Sequence, residues 1–215
     1  MIQKFKNLYS QLFTDYVDAL NTAIGGCRTL LDVGCGFPSP VARFSSRLDS
    51  TGVDIYLPSI EQSRAMGIHN NYEQIDVLKI GKRFAPNSFE CVLASDVIEH
   101  LPKESGYGLL EQMERIASKR VIIFTPNGFL PQAGHSGNPW QEHKSGWIPE
   151  DMEALGYRAI GINGWKPLRG EFAYIKYRPR MFWHIVSDLS QLVVRHYPKH
   201  AFQILCVKEK VVARL

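Results

Sequence analysis

The sequence predicts an α/β protein built on a parallel sheet, and three observations carry that expectation. Apolar, strand-like runs alternate with segments of helical period between residues 28 and 124. The run Leu30-Leu31-Asp32-Val33 enters a glycine pair, Gly34-Cys35-Gly36, as a buried strand does when it feeds a tight turn. Asp54, Asp76 and Ser95-Asp96 then fall at the ends of the following strands, on the rim where open parallel sheets hold ligands.

Each element has its own signal. Residues 3–24 place Phe5, Leu8, Leu12, Tyr16, Ala19, Leu20, Ala23 and Ile24 at helical spacing, and Gly25-Gly26 stops the helix. Such a helix covers one side of the sheet or lies as a lid over a pocket. Residues 28–33 are the first strand and 34–40 the turn. A helix is expected over 40–48, with Ser39 as its cap and Pro40 at its first position. Residues 50–55 are a second strand ending on Asp54. Residues 59–66 are a short helix capped by Ser59, and 72–77 a third strand ending on Asp76. A fourth strand over 89–94 follows the turn Pro86-Asn87-Ser88. A helix over 104–117 leads to a fifth strand over 120–124.

Residues 126–148 lack clear periodicity. They carry His135, Trp140, His143 and Trp147 among prolines and glycines, as a functional lid does. A helix over 149–155 and a sixth strand over 157–162 follow. Residues 163–199 are an insertion whose stretch 181–195 is apolar at helical period, and 201–207 form the last strand.

Bulk properties bound the function. The 215 residues suffice for one α/β domain, 1–215, with residues 1–26 as an N-terminal helix. A net charge of +4 is too small for a convincing nucleic-acid footprint. Cys27, Cys35, Cys91 and Cys206 form no Cys-x-x-Cys pair, which argues against zinc and a disulfide framework and for a reducing, cytoplasmic setting. The N-terminal sequence lacks a secretory apolar segment, and no run approaches the ~20 apolar residues of a spanning helix.

The chemistry is read from the rim. Gly34 and Gly36 let a ligand approach the backbone, while Ser39 stands where a dinucleotide fingerprint has its third glycine. Asp32 would repel a pyrophosphate and favour an ammonium group. Asp54, about 20 residues beyond the turn, can accept two ribose hydroxyls. Asp76 can accept from an adenine amino group. Ammonium, ribose and adenine in that order fit S-adenosylmethionine.

With these residues in view, the chain resembles a class I S-adenosylmethionine-dependent methyltransferase of the small-molecule branch, over residues 29–155 with a final strand at 201–207. Leu30–Gly36 is similar to that family's first motif. Gly52-Val53-Asp54-Ile55 is similar to the second, in which the acid binds ribose and Ile55 packs on adenine. Gln74-Ile75-Asp76-Val77 is similar to the adenine-edge motif, and Ala94-Ser95-Asp96-Val97-Ile98-Glu99-His100-Leu101 to the segment after the fourth strand. The resemblance implies a Rossmann-like seven-stranded, mostly parallel sheet in order 3-2-1-4-5-7-6, with the last strand antiparallel and helices on both faces. It implies a cofactor site made of Asp32, Gly34, Cys35, Gly36, Asp54, Ile55, Asp76, Val77 and Ser95, with the Cys35 N–H facing the cofactor. Phe37-Pro38-Ser39-Pro40 is stiffer than the family's usual glycine-rich continuation, and the 163–199 insertion is longer than a minimal member needs.

The implied partner is a small-molecule methyl acceptor. The alternative within the enzymes is a nucleic-acid or protein methyltransferase, against which the signature of amino-group methylation on bases is absent after strand four. His143 and then His135 are the candidate general bases, needed when the attacking oxygen or nitrogen arrives protonated. The stretch His143–Trp147 before Pro149-Glu150 also fits a structural closure of the pocket. The primary expectation is a site without metal. Asp96, Glu99 and His100, joined by a histidine of a later loop, form the alternative, a divalent-metal site. The helix over 181–195, flanked by Lys176, Arg178, Arg180 and Arg195, has the pattern of a helix packed on the domain or in a dimer, and also of one lying on a membrane or lipid-linked substrate. A non-catalytic, cofactor-binding scaffold is the alternative of another class.

Overall fold

The structure, a computed structural model, describes residues 16–134 and 138–210. One sheet holds seven strands: β1 (Thr29–Val33), β2 (Asp49–Asp54), β3 (Asn71–Gln74), β4 (Phe89–Ser95), β5 (Ala117–Pro126), β6 (Arg158–Trp165) and β7 (Ala201–Glu209). Their order is β3-β2-β1-β4-β5-β7-β6. The first five pair in parallel, and β7 runs antiparallel to β5 and β6. This is the sheet that the resemblance implied.

Register explains why the rim is chemically rich. Val33 of β1 stands opposite Val53 of β2 and Ala94 of β4. The strands therefore end together, and the residues that follow, Gly34, Asp54 and Ser95, emerge side by side.

Side-chain alternation splits the apolar residues between two cores. Leu31 and Val33 point to one face, where α4 (Lys103–Ile116) buries Leu109, Leu110, Met113 and Ile116. Leu30 points to the other, against Ala19, Leu20, Ala23 and Ile24 of α1 (Tyr16–Ile24). Burial on both faces is why these strands read as nearly unbroken apolar runs. The shorter α2 (Leu57–Ala65), α3 (Ile80–Arg83) and α5 (Pro149–Ala154) and the longer α6 (Arg180–Val194) complete the chain. Among the described residues, no helix is long and apolar enough to cross a membrane.

Several expected elements differ. The 40–48 helix is two 3-10 turns, Pro40–Arg43 and Ser45–Arg47. Ser39 does cap the first, its Oγ accepting from Val41 N at 3.1 Å. The Asp49 N–H already bonds to the Arg28 carbonyl to start β2, so the chain has no room for a longer helix. Helix α2 starts two residues early, on Leu57, with Pro58 in its first turn, so Ser59 is inside the helix and caps nothing. Strand β3 stops at Gln74 because Asp76 turns back and accepts from Leu78 N at 3.0 Å, capping a 3-10 turn over Val77–Lys79. Of the helix expected over 3–24, residues before Tyr16 lie outside the described residues.

The 126–148 stretch is fastened at its end. Trp147 is 0% exposed, and its Nε1–H donates to Ser145 Oγ at 3.0 Å and Ile98 O at 3.3 Å. Gly106 makes room for the ring, since a Cβ there would meet Trp147 at 2.4 Å. The Lys103 ammonium sits 3.8 Å over the same ring and donates to the Gly146 carbonyl at 2.7 Å. The Glu99 carbonyl accepts from both Lys144 N (2.7 Å) and Ser145 N (3.0 Å). Residues 143–147 are thereby laid along the segment after β4, and that sets where His143 goes.

Candidate active site

A cavity of about 1140 Å³ opens on the rim of the sheet. Asp32, Gly34, Cys35, Gly36, Asp54, Ile55, Asp76, Val77 and Ser95 line it, as do Asp96, Glu99, His100 and His143. His135 lies outside the described residues.

The turn side is organised by its own acids. Gly34 (φ 67°) and Gly36 (φ 50°) take left-handed backbone that a side chain resists. A Cβ on Gly34 would also stand 2.6 Å from Val97. Asp54 accepts from Gly36 N at 2.9 Å through Oδ2 and from Tyr56 N at 2.8 Å through Oδ1. Burial pushes its carboxyl above the usual range, and the two backbone hydrogen bonds pull it back. Asp32 is buried beneath the turn. Its Oδ2 accepts from the Ser39 hydroxyl at 2.7 Å, and His69 Nε2 stands 3.3 Å away, too poorly aligned for a hydrogen bond. Ser39 thus does two tasks, bonding Asp32 and capping the next turn, at the position of the missing third glycine.

Cys35 requires a correction. Its N–H donates to the Val53 carbonyl at 2.9 Å and is not offered to the cavity. Burial, with Asp32 and Asp54 nearby, pushes its thiol well above the ordinary range, so the sulfur is an apolar wall. Asp76, two residues beyond β3, lines the cavity while its Oδ1 caps the 3-10 turn.

The far side collects titratable groups. Asp96 sits at φ 53°, unusual for a residue with a side chain. Its carboxyl accepts from Gln203 Nε2 at 3.2 Å and has a long, 3.5 Å contact from Ser95. Asp96 is open to the cavity yet ringed by protein, and desolvation pushes its pKa up to about 7. Glu99 is buried, and desolvation followed by repulsion from Asp96 drives it well above the usual range. Its Oε2 accepts from Thr125 at 2.9 Å, and its Oε1 has no hydrogen-bond partner among the described residues.

The two histidines share one tautomer. His100 Nδ1 lies 3.1 Å from the Glu142 carbonyl and His143 Nδ1 2.7 Å from the Leu130 carbonyl. A carbonyl only accepts, so each Nδ1 carries the proton and each Nε2 keeps its lone pair. Desolvation lowers both, His100 to about 4. The rings meet edge to face at 4.8 Å. Ligand atoms of Glu99, His100 and His143 lie within 4.8 Å of one another, close enough to share a proton network or a divalent cation.

Two lining residues had weak signals or none. Tyr16, on α1, donates to Ser95 Oγ at 2.7 Å and stacks on Phe124 at 3.8 Å. In the sequence it is one more apolar position on a helical stripe. Gln203 is the one polar side chain in the apolar run that opens β7, a signal that could have been read.

Comparison with known proteins agrees with this geometry. A family described as a methyltransferase domain matches residues 31–125. No curated protein sequence matches the chain. Among solved structures, an S-adenosylmethionine-dependent methyltransferase from Archaeoglobus fulgidus is 18% identical, with 96% of this chain and 100% of that one covered and a TM-score of 0.58. Phosphoethanolamine N-methyltransferase 2 from Haemonchus contortus, in complex with S-adenosyl-L-methionine, is 16% identical over 94% of this chain and 56% of that one, with a TM-score of 0.58. The methyltransferase domain of bacterial CtHen1-CN is 19% identical over 94% and 98%, with a TM-score of 0.56. Residues 31–125 match a methyltransferase domain, and the chain around them has the fold of the solved S-adenosylmethionine-dependent methyltransferases.

Proposed function

We propose that this methyltransferase acts on an oxygen or nitrogen of a small molecule, such as a sugar or polysaccharide precursor, a quinone precursor or another metabolite. Single-ligand pockets run to roughly 300–1,000 Å³. A cavity of about 1140 Å³ has room for cofactor and a small acceptor together. Leu130, Trp140 and Phe172 give its acceptor side apolar and aromatic walls suited to a compact molecule.

In this reading the glycine turn lets the cofactor's methionine part lie on the backbone, and Asp32 faces its ammonium group. Asp54 holds the ribose hydroxyls, Ile55 and Val77 flank the adenine, and Asp76 accepts from its amino group. The bound cofactor supplies an electrophilic methyl group. The protein's work is to align the nucleophile, exclude water and take its proton. The carrying observation is that His143 lines the same cavity as Asp54 with its Nδ1–H donated to the Leu130 carbonyl, which leaves the lone pair on Nε2. His143 takes the acceptor's proton as the new bond forms, with Tyr16 and Gln203 lining the acceptor side.

A second reading has one observation in its favour. Glu99 keeps one oxygen without a hydrogen-bond partner among the described residues, and ligand atoms of Glu99, His100 and His143 lie close enough together to hold a divalent cation that orients an acceptor hydroxyl. Activity that survives thorough chelation removes that reading. The main proposal is tested by calorimetry with S-adenosylhomocysteine and NAD. Micromolar binding of the first, none of the second, and a roughly hundredfold loss in Asp54→Ala are expected, since two hydrogen bonds to a charged group are lost. An Asp54→Ala chain that binds like the parent would remove the ribose assignment.

A further inference from the structure

Helix α6 is mounted with its apolar side outward. Its buried residues are Ser187, Gln191 and Val194. Gln191 donates to the Gly161 carbonyl and accepts from Gly164 N, both at 2.8 Å, and Ser187 Oγ accepts from Arg169 Nε at 3.1 Å. Backbones touch along this seam, since a Cβ on Gly161 would stand 2.1 Å from the Val194 carbonyl. The opposite side presents Met181, Phe182, Ile185, Leu189, Leu192 and Val193, all exposed, with Met181 at 79%. At roughly 100° per residue these six share an arc of about 120°. A contiguous apolar face of this kind on a chain's surface marks an interaction site.

Charge is segregated to the same segment. Residues 166–200 carry seven Lys and Arg against two acids, while the whole chain has a net charge of +4, so the remainder is slightly acidic. Lys176, Arg178 and Arg180 are exposed immediately before and at the start of the helix, beside exposed Tyr174 and Tyr177.

We propose that α6 and the residues leading into it dock this methyltransferase onto an anionic lipid surface. Six aliphatic and aromatic side chains on one face enter the boundary between headgroups and acyl chains, and the flanking cations meet lipid phosphates. The alternatives fit the charge pattern less well. A second copy seated on this face would bring two basic rims together, and a nucleic-acid backbone offers the apolar side chains no partner. The same segment contributes Phe172 and Ala173 to the cavity wall, so one wall of the methyl-transfer site belongs to the docking segment.

Flotation of the full chain with vesicles tests this. The chain should float with vesicles of phosphatidylcholine and phosphatidylglycerol and stay behind with pure phosphatidylcholine. The triple variant Phe182→Ser, Ile185→Ser, Leu189→Ser should lose roughly a hundredfold in partitioning. Arg178→Ala with Arg180→Ala should lose roughly tenfold. All these side chains are exposed, so S-adenosylhomocysteine binding should match the parent in every variant. Failure to float with anionic vesicles, or flotation that the variants leave unchanged, overturns the proposal. So does a concentration-dependent dimer that the triple variant abolishes, which would give the face to a second copy. Loss of S-adenosylhomocysteine binding by the parent would instead be a failure of the cofactor-site assignment, read independently of flotation.

Discussion

The two halves of the cavity are built in opposite ways. On the turn side, each acid serves its own neighbourhood. Asp54 bonds the amides of Gly36 and Tyr56, Asp76 the amide of Leu78, and Asp32 the hydroxyl of Ser39. On the far side the groups come from remote parts of the chain. Gln203 reaches Asp96, Tyr16 reaches Ser95, and His143 lies on His100. A site of the first kind is carried by strand register and turn chemistry. A site of the second kind depends on remote packing, and its His143 stands in place only while the loop after β5 stays fastened. The lesson is that cofactor binding and acceptor chemistry should respond separately to mutation.

The largest separation should come from His143→Asn. If His143 takes the acceptor's proton, kcat falls roughly 10²–10⁴-fold, while S-adenosylhomocysteine affinity stays at the parent value. Single-turnover rates and calorimetry on one preparation check both halves, and equal losses in the two would erase the distinction.

Trp147→Ala attacks the fastening itself. Emptying a fully buried indole site costs about 3–5 kcal/mol, visible in denaturant unfolding. If the loop seats His143 as described, activity falls further than cofactor affinity. A variant within 1 kcal/mol of the parent, a bound of the order set by ordinary surface changes, would show that Trp147 does not hold the loop.

Acid gives a third handle, because groups on the far side pull in opposite directions. His100 stays neutral in the folded chain down to about pH 4, but takes a proton near its ordinary 6.5 when unfolded. The unfolded state then binds more protons, so this contribution is present above 6.5 and lost as pH falls towards 4. Asp96 titrates near 7 when folded, against 3.8 unfolded, so its contribution is gained as pH falls through 7 and is complete below 3.8. The two offset each other in the parent. Denaturant unfolding between pH 4 and 7 should show a steeper gain on acidification in His100→Asn and a steeper loss in Asp96→Asn. Parallel profiles for all three chains would contradict the assignment.

The smallest effect is expected at Ser39→Ala, on the turn side. It removes a helix-cap hydrogen bond worth about 1 kcal/mol and one partner of Asp32, with a few-fold loss of cofactor affinity and no change in the pH profile of kcat. A large drop in kcat alone would mean that the turn reaches into the acceptor chemistry.

Sequence alone settled the sheet and the turn. Continuous apolar runs mark strands buried on both faces, and a glycine pair after such a run marks a left-handed turn; both are local signals. Asp32, Gly34, Gly36 and Asp54 were legible because their spacing follows the strand–turn–strand period. The Cys35 amide was misjudged because its partner, the Val53 carbonyl, belongs to the neighbouring strand. The pairing of His100 with His143 needed Trp147 in the core and the Glu99 carbonyl as a clamp, contacts between segments more than 40 residues apart. The outward face of α6 was equally hidden. Periodicity finds an apolar stripe, but only packing says which way it faces, and here glycines in β6 and the hydrogen bonds of Gln191 draw the polar side in. Local backbone chemistry is written residue by residue, whereas the direction a stripe faces and the company a histidine keeps are decided by which surfaces the rest of the chain buries.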